Sequence, residues 1–287
     1  MRMKRALIIT TMAAFVGVAG LGRIPVMAQQ QGPAPRYTPA PGAKDLKAVL
    51  FNWFWYMGML RGPQEIEAVA TLEHKATGSL QVGGQPCTLT NYRVSTNYQL
   101  TGQRVQYTCR LPNGQEQKSI EVVSGQYAWD EDVVGAELAP GHGKATAKPT
   151  ALRERLIRLW AGPQGAPKAA AAGGDKTTVS QETGKLVVTY PIPGVPGAIA
   201  KATLDSKNMA ERVEVSDSSV ATEFTYANYA DYNNPLNKID AFYAGKLVEK
   251  RNGVTFRDLT TLETETGNVY VVMPVPDSVK KASPQSR

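Results

Sequence analysis

The chain has 287 residues, 42% of them apolar and 20% charged, which is enough for one domain with a substantial core. Its net charge of +7 owes four cations, Arg2, Lys4, Arg5 and Arg23, to residues 1–28, which hold no carboxylate, so the remainder carries only +3. That charge does not suggest nucleic-acid binding, which usually needs a concentrated basic face. With only two His in the chain, and two Cys best read as pairing with each other, a Cys/His metal cluster is not expected, and the sequence implies no cofactor.

The first 28 residues read as a signal peptide. Arg2, Lys4 and Arg5 form a positive start, Ala6 to Gly22 is apolar, and Val26-Met27-Ala28 supplies small residues for cleavage. Export to the periplasm or beyond is therefore expected. Residues 29–43, "QQQGPAPRYTPAPGA", are rich in Pro and Gln and read as a disordered tether. Residues 44–281 read as a single β-rich domain, and 282–287 as a tail.

Residues 44–60 read as a helix. Leu46, Val49, Leu50, Trp53, Met57 and Leu60 share one face, and Phe51, Trp55 and Met59 a second. A helix on the outside of a sheet needs only one apolar stripe. The surplus predicts an apolar cavity, and the flexible thioethers of Met57 and Met59 suit a site that repacks around varied ligands. A closed core is the alternative.

From Glu65 to Trp129 the chain alternates strand and turn. Turns are expected at Gly83-Gly84, Thr101-Gly102, Asn113-Gly114 and Ser124-Gly125, the Asn-Gly pair giving the strongest type I′ signal. Val105, Tyr107, Cys109 and Leu111 fall on one face of a strand. In an oxidising compartment Cys87 and Cys109 pair most simply with each other. A turn between Thr101 and Gly102 would hold them roughly 23 Å apart, so a loop from Ser95 to Gln103 is preferred.

Residues 133–149 read as loop. "TALRERLIRLWAG" reads as a helix capped by Thr150, with Leu152, Leu156, Leu159 and Trp160 as its stripe and Glu154–Arg158 as an i,i+4 pair. Residues 164–176, rich in Ala and Gly, read as a mobile loop, with a helical turn in the Ala run as the alternative. About seven strands follow, including "NVYVVMPVP", with a second Asn-Gly turn at 252–253. The fold class is α+β and dominated by antiparallel strands.

Candidate chemistry is sparse. Asp130, Glu131 and Asp132 are consecutive, which suits a solvated turn better than paired catalytic acids. His74 and His142 have no G-x-S-x-G elbow beside them, and Ser278/Lys281 matches S-x-x-K only near the tail. Tyr226, Tyr229, Tyr232 and Tyr243 suit sheet packing better than a glycan platform.

The order of elements, with "IEVVSGQYAWDED" (120–132) and "NVYVVMPVPDSVKK" (268–281), resembles the LolA-like and LolB-like family of periplasmic lipoprotein carriers. The resemblance implies a strongly curved antiparallel sheet, an incomplete barrel wrapped around one or two helices. It also implies a cavity for acyl chains lined by Trp53, Trp55, Met57, Met59 and Trp160. The expected function is non-enzymatic binding or carriage of a lipid or lipidated protein, with a membrane surface as a further partner. A structural module contacting a glycan or protein at the cell surface is the alternative, and a hydrolase ranks third.

Overall fold

The structure, a computed structural model, describes residues 39–61, 66–67, 69–217, 220–233 and 241–282. The signal-peptide reading and most of the tether reading lie outside these residues.

The first helix, α1 (Leu46–Tyr56), is shorter than its periodicity suggests. The Asp45 side chain caps it by accepting from the Ala48 amide. Gly58 ends it in the left-handed region, with Gly58 N–H bonded to Trp55 O and Met59 N–H to Phe54 O. Met59 therefore lies beyond the helix, and the second apolar stripe shrinks to Phe51 and Trp55. A short hairpin, β1 (Leu60–Arg61) and β2 (Ile66–Glu67), follows.

Six strands come before the next helices: β3 (Thr71–Val82), β4 (Gln85–Asn97), β5 (Gly102–Arg110), β6 (Glu116–Ser124), β7 (Tyr127–Glu131) and β8 (Ala145–Ala147). One turn of 3₁₀ helix (Pro149–Ala151) then leads into α2 (Leu152–Ala161). Thr150 thus sits within that turn and is not the cap. Residues 164–176 are no loop: α3 (Gly165–Ala172) is helical, and Ala166, Ala169 and Ala170 are fully buried. Alanine is the best helix former, and its small side chain allows close packing. Gly165 is where a β-carbon would meet Leu159 O at 2.0 Å, so only glycine lets α3 sit this close to α2.

The second set is β9 (Thr178–Glu182), β10 (Lys185–Pro191), β11 (Ile199–Leu204), β12 (Ala210–Ser216), β13 (Thr222–Asp231), β14 (Phe242–Arg251) and β15 (Val254–Thr266). "NVYVVMPVP" is not a strand. Pro274 and Pro276 lack the amide a ladder needs. The segment instead crosses the back of the first half-sheet, where the Asn97 amide donates to Val271 O and Met273 is buried. A short helix, α4 (Asp277–Ala282), ends the described chain.

Among the described residues the larger sheet has thirteen strands in the order β8-β7-β6-β5-β4-β3-β15-β14-β13-β12-β11-β10-β9. All neighbours are antiparallel, and the sheet is open, with β8 and β9 at its edges. Each half is a meander, and the last strand joins the first at the β3–β15 seam.

The sheet is curved. Strands β6 and β12 are seven steps apart, about 33 Å if flat. Yet α2 packs on both, and a helix with side chains is only about 10–12 Å wide. Bulges near the centre, in β3, β4, β14 and β15, supply the bend. At Gly78 in β3 a β-carbon would meet Asp258 O at 2.0 Å, so a side chain there would push the seam apart.

Cys87 and Cys109 form a disulfide with Cα atoms 5.5 Å apart. The turn between β4 and β5 is tighter than expected, Tyr98–Thr101, and a bulge at Leu89/Asn91 brings the cysteines into diagonal register. Replacing both with serine is expected to cost about 3 kcal/mol in the chain-entropy account. A urea midpoint that stays unchanged would contradict this.

Candidate functional site

Helix α2 is held to both halves of the sheet by polar contacts. Arg155 Nη1 donates to Val122 O (2.9 Å) and Trp129 O (2.6 Å), and its Nη2 to Asp130 (2.5 Å). Arg158 Nε donates to Gln103 (3.0 Å), and Nη1 to Glu121 (2.7 Å). On the other half, Arg153 pairs with Asp217, Arg251 with Glu154 (2.6 Å), and the Tyr226 hydroxyl donates to Ala161 O (2.6 Å). Glu154 and Arg158 therefore reach across to the sheet, where the sequence suggests they pair with each other.

A chamber of about 40 Å³ lies between the C-terminal end of α2 and the curved face of the sheet. Leu159, Gly162 and Pro163 roof it, with Arg158. Its walls are aromatic and aliphatic, including Tyr92, Val94, Tyr226, Tyr243 and Leu259, and are joined by His74, Glu249 and Arg257. Glu249 is buried and accepts from Arg257 Nη1 (3.0 Å) and Arg251 Nε (2.7 Å). Burial alone would raise the Glu121 carboxyl, but Arg158, Arg257 and Arg155 outweigh it and hold it at about 2.

His74 is buried between the Tyr243 ring (4.7 Å) and the Tyr92 ring (6.1 Å). Thr261 Oγ1 donates its one proton to Ala244 O (2.6 Å), so His74 Nε2, 3.1 Å away, must carry a proton and donate to that oxygen. Burial lowers its pKa to about 3, which keeps the ring neutral. The hydrogen-bond partner of His74 is thus a threonine and not a carboxylate, so its setting is not that of a catalytic triad. His142 bonds Val134 O in an exposed loop, and Ser278 donates to Glu137.

A second cleft, of about 210 Å³, lies beside the chamber and shares Phe224 and Glu249 with it. Ile157, Val220 and Phe224 give it an apolar floor, and Arg153, Glu154 and Arg251 a charged rim.

The five residues singled out from the sequence line neither space. Trp53, Met57 and Met59 are fully buried in the main core, and Trp160 is nearly so, its ring 6.2 Å from that of Tyr98. Trp55 faces outward, 40% exposed, beside Phe51 at 5.7 Å. The chamber and the cleft both lie under α2.

The acidic run is not a solvated turn throughout. Glu131 is buried and accepts from Arg104, the Trp129 indole (3.0 Å) and the Gly135 amide (2.9 Å). Tyr226 and Tyr243 are buried and Tyr229 donates to Ala210 O, so these rings form no surface platform. Among the described residues no group of three or more His, Cys, Asp or Glu is placed to hold a metal ion, and no helix is long and apolar enough to cross a membrane.

No family model and no curated protein matches the chain. Among solved structures it is similar to an outer membrane lipoprotein-sorting protein domain from Vibrio parahaemolyticus, at 12% identity and a TM-score of 0.42, covering 74% of this chain and 90% of that one. It is also similar to a DUF1329 family protein from Desulfovibrio piger ATCC 29098, at 9% identity and a TM-score of 0.45, covering 80% and 96%. Neither makes this chain a member of those families.

Proposed function

We propose that this protein is an exported, non-enzymatic binder or carrier of an amphipathic ligand, a lipid or a lipidated protein. The incomplete barrel holds the ligand under α2. One observation carries the reading: a cleft with an apolar floor and a charged rim adjoins a partly open chamber of aromatic, aliphatic and charged side chains beneath a helix pinned by ion pairs. A concave space that joins apolar walls to a few placed polar groups is what small-ligand sites present. Trp53, Met57, Met59 and Trp160 form the packed core behind it, which ligand reaches only if α1 and α2 part from the sheet.

Native mass spectrometry of protein purified from its own host tests this. The expected result is a co-purifying adduct of lipid mass that organic extraction releases. A clean apo mass, together with no uptake of a fluorescent fatty acyl probe, would exclude the proposal.

A further inference from the structure

We infer that the chamber under α2 is a subsite for a neutral acyl carbonyl, the ester or amide group of an acylated ligand, held by Arg158 Nη2 and Arg257 Nε. This rests on the carrier reading and adds which chemical group enters and what grips it.

Both guanidiniums line the chamber and are more than nine-tenths buried, 8% and 4% exposed. Each has an N–H with no acceptor among the described residues, Nη2 of Arg158 and Nε of Arg257. Their other assigned donors are committed to Gln103, Glu121 and Glu249. A buried guanidinium N–H left without an acceptor is costly, so the pair points to a guest that supplies lone pairs.

The charge balance selects the guest. Arg155, Arg158, Arg251 and Arg257 are matched by Asp130, Glu121, Glu154 and Glu249. A carboxylate or phosphate would bring an unmatched charge into a site with none to spare. A cation would find no free acceptor on these arginines. A carbonyl oxygen takes two donors through its two lone pairs and adds no charge. Lys168 is the other cation nearby, 4.8 Å over the Tyr98 ring, and burial draws it down to about 7, so at pH 8 it is mostly neutral.

Size agrees. The chamber has room for about three water-sized groups, which fits an ester and not a chain. The hydrocarbon would run past Phe224 into the neighbouring cleft, over Ile157 and Val220.

The test compares methyl decanoate, decyl methyl ether and decanoate on the wild-type protein at pH 8. The ether matches the ester in length but lacks the carbonyl. Hydrogen bonds from charged donors make the ester tighter than the ether by about tenfold or more. Bound ester labelled with ¹³C at the carbonyl shifts its infrared stretch to lower wavenumber. In Arg158→Lys, which keeps a cation for Glu121 but removes Nη2, the ester's advantage falls to about threefold or less. If that variant does not fold, the wild-type ratio and the infrared shift decide alone. Equal binding of ester and ether overturns the subsite and leaves the carrier reading standing. Decanoate binding tighter than the ester overturns the neutral-acceptor assignment. No binding of any of the three removes both proposals.

Discussion

Trp53→Ala is expected to destabilise the protein by about 3–5 kcal/mol, and Trp55→Ala by only about 1 kcal/mol. The two residues lie two apart on the same helix, and the sequence treats them alike. Trp53 is fully buried in one cluster with Val49 and Met57, so truncation removes a large packed volume and leaves a cavity. Trp55 is 40% exposed and is absent from that core. The Trp53 indole N–H has no acceptor among the described residues. Trp53→Phe, which deletes that buried donor, should therefore cost less than Trp53→Ala. Urea unfolding of the three variants checks this. Equal losses at positions 53 and 55 would contradict the burial pattern.

The second large effect is on pH. His74 titrates at about 3 in the folded protein against 6.5 in its ordinary state. As pH falls below 6.5 the unfolded chain takes up this proton and the folded protein does not. Stability is then lost at about 1.4 kcal/mol per pH unit until pH reaches about 3. Lys168 acts by the same sign at higher pH, with about 7 in the fold against 10.5. Between those values the unfolded chain holds a proton that the folded protein has released, so stability rises with pH across that window and is at its lowest below it. Glu73, Glu121 and Glu154 all sit below the usual carboxylate range and add to the acid loss. His74→Phe should flatten the profile between pH 6.5 and 4, and Lys168→Met the profile between 7 and 10. Urea midpoints across these ranges provide the measurement, and a His74→Phe slope equal to that of wild type would refute the assignment.

Much of the layout was legible because it rests on local chemistry. Asn252-Gly253 has both residues at positive φ and closes β14 onto β15 as its sequence demands. Gly83-Gly84 does the same between β3 and β4. Asn113-Gly114, read as the strongest turn, lies in a longer loop in which only Gly114 has positive φ. The chamber was illegible for a different reason. Arg158, Glu249 and Arg257 come from one helix and two strands, and a charged residue on a strand reads as solvent-facing. They are buried because curvature brings distant strands under one helix, and no local pattern records curvature. The Trp and Met cluster was visible as grease, but its spacing did not say whether it packs into the core or opens onto a hollow.

The seam between β3 and β15 has a consequence for how the fold is made. Its two strands pair Leu72 with Thr266 and Leu80 with Arg257, across most of the domain's sequence. Contacts between such distant segments form slowly, because a very long loop must close first. During synthesis the first meander waits with its β3 margin unpaired until the final hairpin has emerged. A chain that stops short of Val254 never joins its halves, and it leaves two sticky borders where the finished protein has none.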